Sequence, residues 1–379
     1  MAKRLSDLRP VYVIGIGWHR YQSLSDKPYV ELGLKAIRDA LSDASIEWSE
    51  VESSYVATAR LGMAVGRPML RHLGAHGRPL IHIENASASG SAAFRQACIE
   101  VGAGISDVVL AVGLDKPSAP VQRASAGVRG LADGAIVPFT SFALLTNEYA
   151  RHNHIAPEDI ALVAVKNHRN GATNVNAQRQ QVRTLEEVLS GRPVSGTLTA
   201  LQCTPVGEGA AAVIVASEDA IRRLGVDPSR VVRVAASAAA SERGGSARAD
   251  KELTQEVVAA VLDEANLSPT DLDIIELHDA FTIEELHYAE ATGVCPEGQF
   301  IPRLKEGEFD IGGRCAISTS GGLIAFGHPI GPTGIGQVGE LTLQLRGEAG
   351  VRQHKGAKVG LAHMVGVGAV CYGHILVRP

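Results

Sequence analysis

Aromatic residues make up only 4% of this 379-residue chain. A core poor in rings must be packed from small aliphatic side chains, and the abundant Ala, Gly and Val suit helices lying close on sheets. Cysteine is sparse as well. Cys98, Cys203, Cys295, Cys315 and Cys371 are odd in number, scattered and without CxxC spacing. That excludes a disulfide framework, speaks against a zinc site, and suits a reducing, cytoplasmic compartment. Basic charge is not in excess: the formal net charge is −5, so nothing points to nucleic acid or to an anionic membrane surface. No apolar run reaches the roughly 18 residues that a membrane-spanning helix needs. The opening MAKRLSDLRP lacks the apolar centre of a signal peptide. With 45% hydrophobic residues, the chain is long enough for one large domain or two similar ones.

What is present is a pattern that occurs twice. Residues 11–18 form an apolar run ending in glycine, a buried strand. Residues 28–46 carry Val30, Leu34, Ile37 and Leu41 at helical spacing behind Pro28. Strands follow at 50–58 and 79–85. The second runs into ASASGSAAFRQACIEVGAG, a sharp turn at 87–90 and then a buried helix with helical spacing from Ala92. Residues 107–113 and 208–217 are further strands. The pattern then restarts, with strand 231–238, helix 252–265, strand 272–277 and strand 314–322, the last meeting a turn. A small-residue helix begins near Gly334, and two apolar runs close the stretch 358–377. Ser87-Ala-Ser-Gly recurs as Ser318-Thr-Ser-Gly, 231 positions on. The chain therefore reads as two copies of one βαβαβ-type half, 1–230 and 231–379. Continuous apolar runs without clean alternation indicate parallel strands buried on both faces. Residues 117–205 differ. They are polar and irregular, include the basic, amide-rich VKNHRNGATNVNAQRQQ, and read as a functional excursion inserted in the first half.

In open α/β sheets, sites form beyond the carboxyl ends of strands. Ser87, His278, His328 and His363 all stand at such ends. His328 lies in the glycine-dense stretch 312–339, where nine glycines in 28 residues exclude a regular element throughout. A Gly-His-Pro loop can equally be a surface turn. Ser87, on residue type alone, is first of all a helix N-cap, and His278 and His363 are equally satisfied histidines at strand ends. His287 and Tyr288, on the helix after HDAF, read as structural. Three histidines raise the question of a metal, yet no tight HxxxH pair or added thiolate accompanies them. Gly334-Ile-Gly-Gln-Val-Gly matches GxGxxG, but HPIGPT and not a strand precedes it, which speaks against a dinucleotide.

Four stretches carry a resemblance: HDAFTIEELHYAEATGVCPEGQ, STSGGLIAFGHPIGPTG, LQLRGEAGVRQHKGAKV and ENASASGSAAFRQA. Through them the whole chain resembles the thiolase superfamily, most closely the sterol-carrier-protein type. The resemblance implies an α/β fold with two pseudo-twofold βαβαβαββ halves in a five-layered αβαβα core. It implies a loop domain, here about 117–205, over a coenzyme A site, and a homodimer or homotetramer. It also implies acyltransferase chemistry on acyl-CoA thioesters without a permanent cofactor, and a small OB-fold acyl-CoA-binding partner. Carried over, His328 and His278 serve one oxyanion hole, and the backbone N–H groups of Ser87 and Gly366 serve a second. Polarising the thioester carbonyl is where most of the rate would come from.

The chain departs from that pattern at the sulfur positions. Residue 87 is Ser where the family has its nucleophilic Cys. The acid/base cysteine of HDCF is Ala280, the one near the C-terminus is His363, and the Asn of NxSGG is Ser318. A serine hydroxyl stays protonated near neutral pH, whereas cysteine is partly thiolate. Three explanations stand open: an introduced Cys→Ser replacement, a retro-aldolase on a 3-hydroxyacyl-CoA that needs no nucleophile, or a non-catalytic acyl-CoA-binding subunit. The leading expectation is C-acyl transfer at a 3-oxoacyl-CoA, with His328 or His363 as base for Ser87.

Overall fold

The computed structural model describes residues 3–117, 137–242, 249–366 and 370–378. The first half runs β1 (Val11–Gln22), α1 (Tyr29–Ala44), β2 (Ser53–Ala57), α2 (Gly66–Arg71), β3 (Leu80–Ile83), α3 (Ser89–Gly102) and β4 (Val108–Asp115). After the excursion it closes with β7 (Glu208–Ser217) and α8 (Glu218–Leu224). The excursion itself holds α4 (Val137–His152), α5 (Pro157–Ile160), α6 (Leu162–Gly171) and α7 (Leu185–Leu189), with a small hairpin of β5 (Pro193–Ser195) and β6 (Leu198–Thr199). The second half runs β8 (Val232–Ser241), α9 (Ala249–Ala265), β9 (Ile274–Glu276), α10 (Thr282–Thr292), α11 (Phe300–Lys305), β10 (Ala316–Ile317), α12 (Gly322–Phe326), α13 (Thr333–Arg346), β11 (Val359–Gly366) and β12 (Val370–Val377).

Ten strands form one sheet in the order β10-β9-β11-β12-β8-β1-β7-β4-β2-β3. Read outward from its centre, the sheet gives the same sequence of strands in both directions: β1-β7-β4-β2-β3 and β8-β12-β11-β9-β10. Among the described residues, the strands of the two arms pair where Tyr12 meets Arg233 and Val13 meets Val232. Each arm is apolar on both faces, as the continuous runs imply, but the expectation of parallel strands holds only at the outer strands. There β2 pairs parallel with β3 and β4, and β9 with β10 and β11. By contrast, β1 with β7 and β8, β4 with β7, and β12 with β8 and β11 pair antiparallel. In β4, Val108, Leu110, Val112 and Leu114 face α1, while Val109 and Ala111 face the interior with α3. One core lies between the first arm and α1, α2 and α8. A second lies between the arms, filled by α3 and α13. A third lies beyond the second arm under α9, α10 and the excursion. Layers of helix, sheet, helix pair, sheet and helix follow, and the buried α3 and α13 meet at glycine. A Cβ on Gly90 would fall 2.7 Å from the Gly331 carbonyl oxygen, so nothing larger fits at that crossing.

Two expectations are corrected here. The stretch VKNHRNGATNVNAQRQQ is not an irregular patch, because its first part is α6, with Lys166, Asn167, His168 and Asn170 buried. Those polar side chains are drawn inward by a buried set of carboxylates and carbonyls, described below. The buried helix starts at Ser89, ahead of Ala92, since small polar residues in the first turn satisfy the backbone there. Part of the excursion, 118–136, lies outside the described residues. Among the described residues, no helix is long and apolar enough to cross a membrane.

Candidate functional site

Beyond β3 the chain kinks at Ala86, whose φ of 49° is left-handed and unfavourable for a residue with a Cβ. Ser87 follows, and α3 starts two residues later. The N-cap is Ala88, which offers no side-chain cap. Ser89 ties the turn down instead: its Oγ accepts from the Asn85 N–H at 2.8 Å and donates to the Ala86 carbonyl at 2.6 Å. Ser87 is thus not the helix cap that its residue type suggests. Its Oγ crosses to the other half of the molecule and lies 3.1 Å from His328 Nε2.

His328 sits between α12 and α13 and is not part of a plain surface turn. Its Nδ1 is 2.7 Å from Thr333 Oγ1, and that hydroxyl donates to the Pro329 carbonyl at 2.8 Å. A hydroxyl has one proton to give, so Nδ1 carries the ring N–H and Nε2 the lone pair. Ser87 O–H therefore donates to Nε2. Burial, reinforced by His278 and Arg60, holds the imidazole well below its ordinary pKa of 6.5, in the neutral form. The loop carrying the ring is clamped by Asp115 at the end of β4. Its carboxylate accepts from Gly331 N–H at 2.6 Å, Thr58 Oγ1 at 2.7 Å and Arg60 N–H at 2.9 Å.

His278 lies just past β9, with its ring 5.4 Å from that of His328. Its Nδ1 stands 3.3 Å from Glu284 Oε1, and neither ring nitrogen has a hydrogen-bond partner. His363, on β11, places Nε2 2.9 Å from Thr254 Oγ1. That hydroxyl gives its proton to the Asp250 carbonyl at 2.8 Å, so Nε2–H donates and the unpartnered Nδ1 keeps its lone pair. Burial, with His278 second, pulls His363 down to about 3. Tyr288 completes the group: its ring is 4.9 Å from His363 and 6.4 Å from His278, and its hydroxyl donates to Glu284 Oε1 at 3.2 Å. Tyr288, expected to be structural, faces the site because it lies one helical turn after Glu284 on the same side of α10. His287 turns away onto Tyr149, 5.2 Å ring to ring. Gly366 abuts the turn before Ser87, since a Cβ there would fall 2.6 Å from the Asn85 carbonyl oxygen.

Serine 318, φ 57°, is fully buried and donates to Glu285 Oε2 at 3.0 Å. Glu285 pairs with Lys166 at 3.0 Å, and Asn167 Nδ2 bridges it to Asp279 at 2.8 and 2.7 Å. Asp279 in turn accepts from the Leu323 N–H at 2.7 Å. The excursion is thereby bolted beneath HDAF and the glycine turn. Cys371 shares the Thr254 side, but burial pushes its thiol up to about 12, so it stays protonated. Cys98 is buried inside α3. Among the described residues, no group of three or more His, Cys, Asp or Glu is placed to hold a metal ion. Glu284, Thr333 and Asp115 were not singled out from sequence. Only the spacing Phe281-Thr-Ile-Glu284, a helix-start signature, could have marked the first of them.

The chain matches known proteins along nearly its whole length. Residues 15–185 match "Thiolase, N-terminal domain", and residues 237–377 match "Thiolase C-terminal domain-like". Sterol carrier protein 2 of Homo sapiens is 34% identical, over 95% of this chain and 70% of that protein. The benzoylsuccinyl-CoA thiolase subunit BbsB of Thauera aromatica is 32% identical over 95% of each. Among solved structures, an Ltp2-ChsH2(DUF35) aldolase superposes with a TM-score of 0.82 at 23% identity, covering 97% of both chains. Human mitochondrial 3-ketoacyl-CoA thiolase in complex with CoA gives 0.74 at 22% identity over the full length of both. Mirrored arms, two buried helices meeting at glycine and a histidine loop facing a strand–turn–helix serine are one architecture, and with both family domains matched in order, the chain belongs to the thiolase family.

Proposed function

We propose that this chain makes or breaks the Cα–Cβ bond of a coenzyme A thioester as a C-acyltransferase of the thiolase kind. The observation that carries the reading is the Ser87–His328 pair, 3.1 Å apart with the acceptor nitrogen turned to the hydroxyl. As Ser87 Oγ attacks the 3-oxo carbonyl in the cleavage direction, or the thioester carbonyl in the synthetic direction, its proton passes to His328 Nε2 and the carbonyl electron pair moves onto oxygen. The protonated Nε2 then becomes a donor to that oxyanion. Collapse restores the carbonyl, expels the enolate or thiolate, and returns the proton to the leaving group. Behind Ser87 the N-terminal end of α3 favours negative charge, and the backbone N–H groups of Ser87 and Gly366 are assigned to the acyl-enzyme carbonyl. His278 holds the water of the first oxyanion hole. The loop domain of about 117–205 covers the coenzyme A. The aldolase neighbour, named with a DUF35 component, supports a small acyl-CoA-binding partner; a homo-oligomer and a cytoplasmic setting are part of the same proposal.

A second reading is favoured by the serine itself. Retro-aldol cleavage of a 3-hydroxyacyl-CoA needs a base and an enolate hole, and no thiolate. Thiolysis of acetoacetyl-CoA, with and without such a partner, tests the first. Turnover in the native chain is expected, with a loss of about 10²-fold or more in His328→Ala. Turnover unchanged in that variant overturns both readings. An acyl mass increment on Ser87 assigns acyl transfer, whereas a free aldehyde or ketone released without thiol assigns the aldolase. Binding of CoA esters with no turnover of either kind marks a non-catalytic subunit.

A further inference from the structure

We propose that Glu284 makes His278 a second proton acceptor of this site, taking the proton of the substrate's Cα or β-hydroxyl where relatives place a thiol. The inference rests on the enolate chemistry above. Glu284 is the third residue of α10, and its Oε2 accepts from the Phe281 N–H at 3.1 Å, which fixes the carboxylate at a helix start that favours an anion. Its Oε1 accepts from Tyr288 at 3.2 Å and stands 3.3 Å from His278 Nδ1. Glu284 is 2% exposed and His278 7%, so bulk water does not shield one from the other. Nδ1 makes no hydrogen bond, but a lone pair 3.3 Å from a carboxylate oxygen is repelled, so the proton belongs on Nδ1 and the lone pair on Nε2. That Nε2 is buried and unpartnered, beside the His328 ring.

The surroundings single out this histidine. Facing His278 are Asp250 from α9, Glu284 and Tyr288 from α10, His328 from the loop before α13, and His363 from β11. Burial keeps His328 and His363 neutral, whereas His278 is the ring that has a carboxylate oxygen 3.3 Å from Nδ1 and a buried, unpartnered Nε2. When Nε2 takes the Cα proton, the C–H electron pair becomes the enolate. When it takes a β-hydroxyl proton, the alkoxide pair forms the carbonyl and the Cα–Cβ pair becomes the enolate. The proton then returns to Cα. Glu284 touches no substrate atom in this scheme and acts as a positioning residue.

Deuterium uptake by the acetyl group of acetyl-CoA in D₂O, followed by mass spectrometry, reads the proton step without any nucleophile. The native chain exchanges; Glu284→Gln is expected to slow exchange about 100-fold, Glu284→Asp about 10-fold and Tyr288→Phe a few-fold. The partial recovery in Glu284→Asp, which restores the carboxylate, is a rescue that a merely structural role would not produce. Exchange at the native rate in Glu284→Gln, or no recovery in Glu284→Asp, overturns the proposal. If the native chain itself does not exchange, the enolate reading fails, and nitrogen-15 NMR of His278 still decides the pair. Nδ1 protonated in the native chain and mixed in Glu284→Gln supports it; an unprotonated Nδ1 in the native chain overturns it.

Discussion

Ser87-Ala-Ser-Gly and Ser318-Thr-Ser-Gly share their spelling and their place after an edge strand, yet their first serines face opposite ways. In the first turn the left-handed residue is Ala86, one position ahead of the serine. Ser87 therefore emerges past the kink and reaches His328. In the second turn the serine is itself the kinked residue, and its hydroxyl sinks into Glu285. The third positions differ likewise: Ser89 ties back to its own turn, while Ser320 donates to the buried Glu276 at 2.5 Å. A one-residue offset of the kink separates a serine paired with His328 from one used as a bolt. It also gives a physical reason for the family's Asn at position 318, since Asn tolerates left-handed backbone better than Ser.

The comparison can be broken at its buried arm first. Glu285→Gln leaves Lys166 without its anion in a dry interior and is expected to cost about 3–5 kcal/mol, read as a fall in Tm. Deuterium exchange per folded molecule should change little. The exposed arm is probed by Ser87→Cys, expected to raise the yield of covalent acyl-enzyme about 10-fold or more by intact-mass analysis. Ser87→Ala should leave Cα exchange within about three-fold while abolishing that adduct. A pH titration tests the neighbour of both arms. His363 is held at about 3 against an ordinary 6.5, so its ring signals should stay those of neutral imidazole down to about pH 4. The sign follows: the unfolded chain takes up this proton below about 6.5 and the folded chain does not, so this ring's effect erodes stability as pH falls from there, by at most about 1.4 kcal/mol per pH unit. The smallest effect is expected for Ser318→Ala, about 1 kcal/mol of stability with exchange unaltered.

Much of this was legible in the residues. Continuous apolar runs such as 107–113 and 208–217 announce strands buried on both faces, and the repeated SxSG announces the two arms. Ser87, His278, His328 and His363 read as strand-end polar residues; the fold draws them together, although His328 follows α12 and His363 lies within β11. Which way Ser87 points was not legible, because a kink at Ala86 is set by the close approach of Gly366 and Asn85 across the halves. Glu284 and Tyr288 were hidden for a similar reason. A helix start that reads as ordinary capping becomes a proton-bearing group only once His278, His363 and Asp250 are folded against it. Lys166 and Asn167 looked like a solvated patch, because the acids that bury them lie over a hundred residues away in the chain.

The narrow seam between the two arms has a consequence in time. Each arm forms its sheet from its own strands, and among the described residues two pairs of β1 and β8 bridge them. Within the second arm β12 slots between β11 and β8, although it follows both in the chain. Gly366 on β11 lies against the turn before Ser87, and α3 is buried between the arms, so the serine turn and the His328 ring take their places together as the second arm closes. A chain that stops short of β12 would leave β11 and β8 without the strand that joins them, and the Ser87–His328 contact would wait for it.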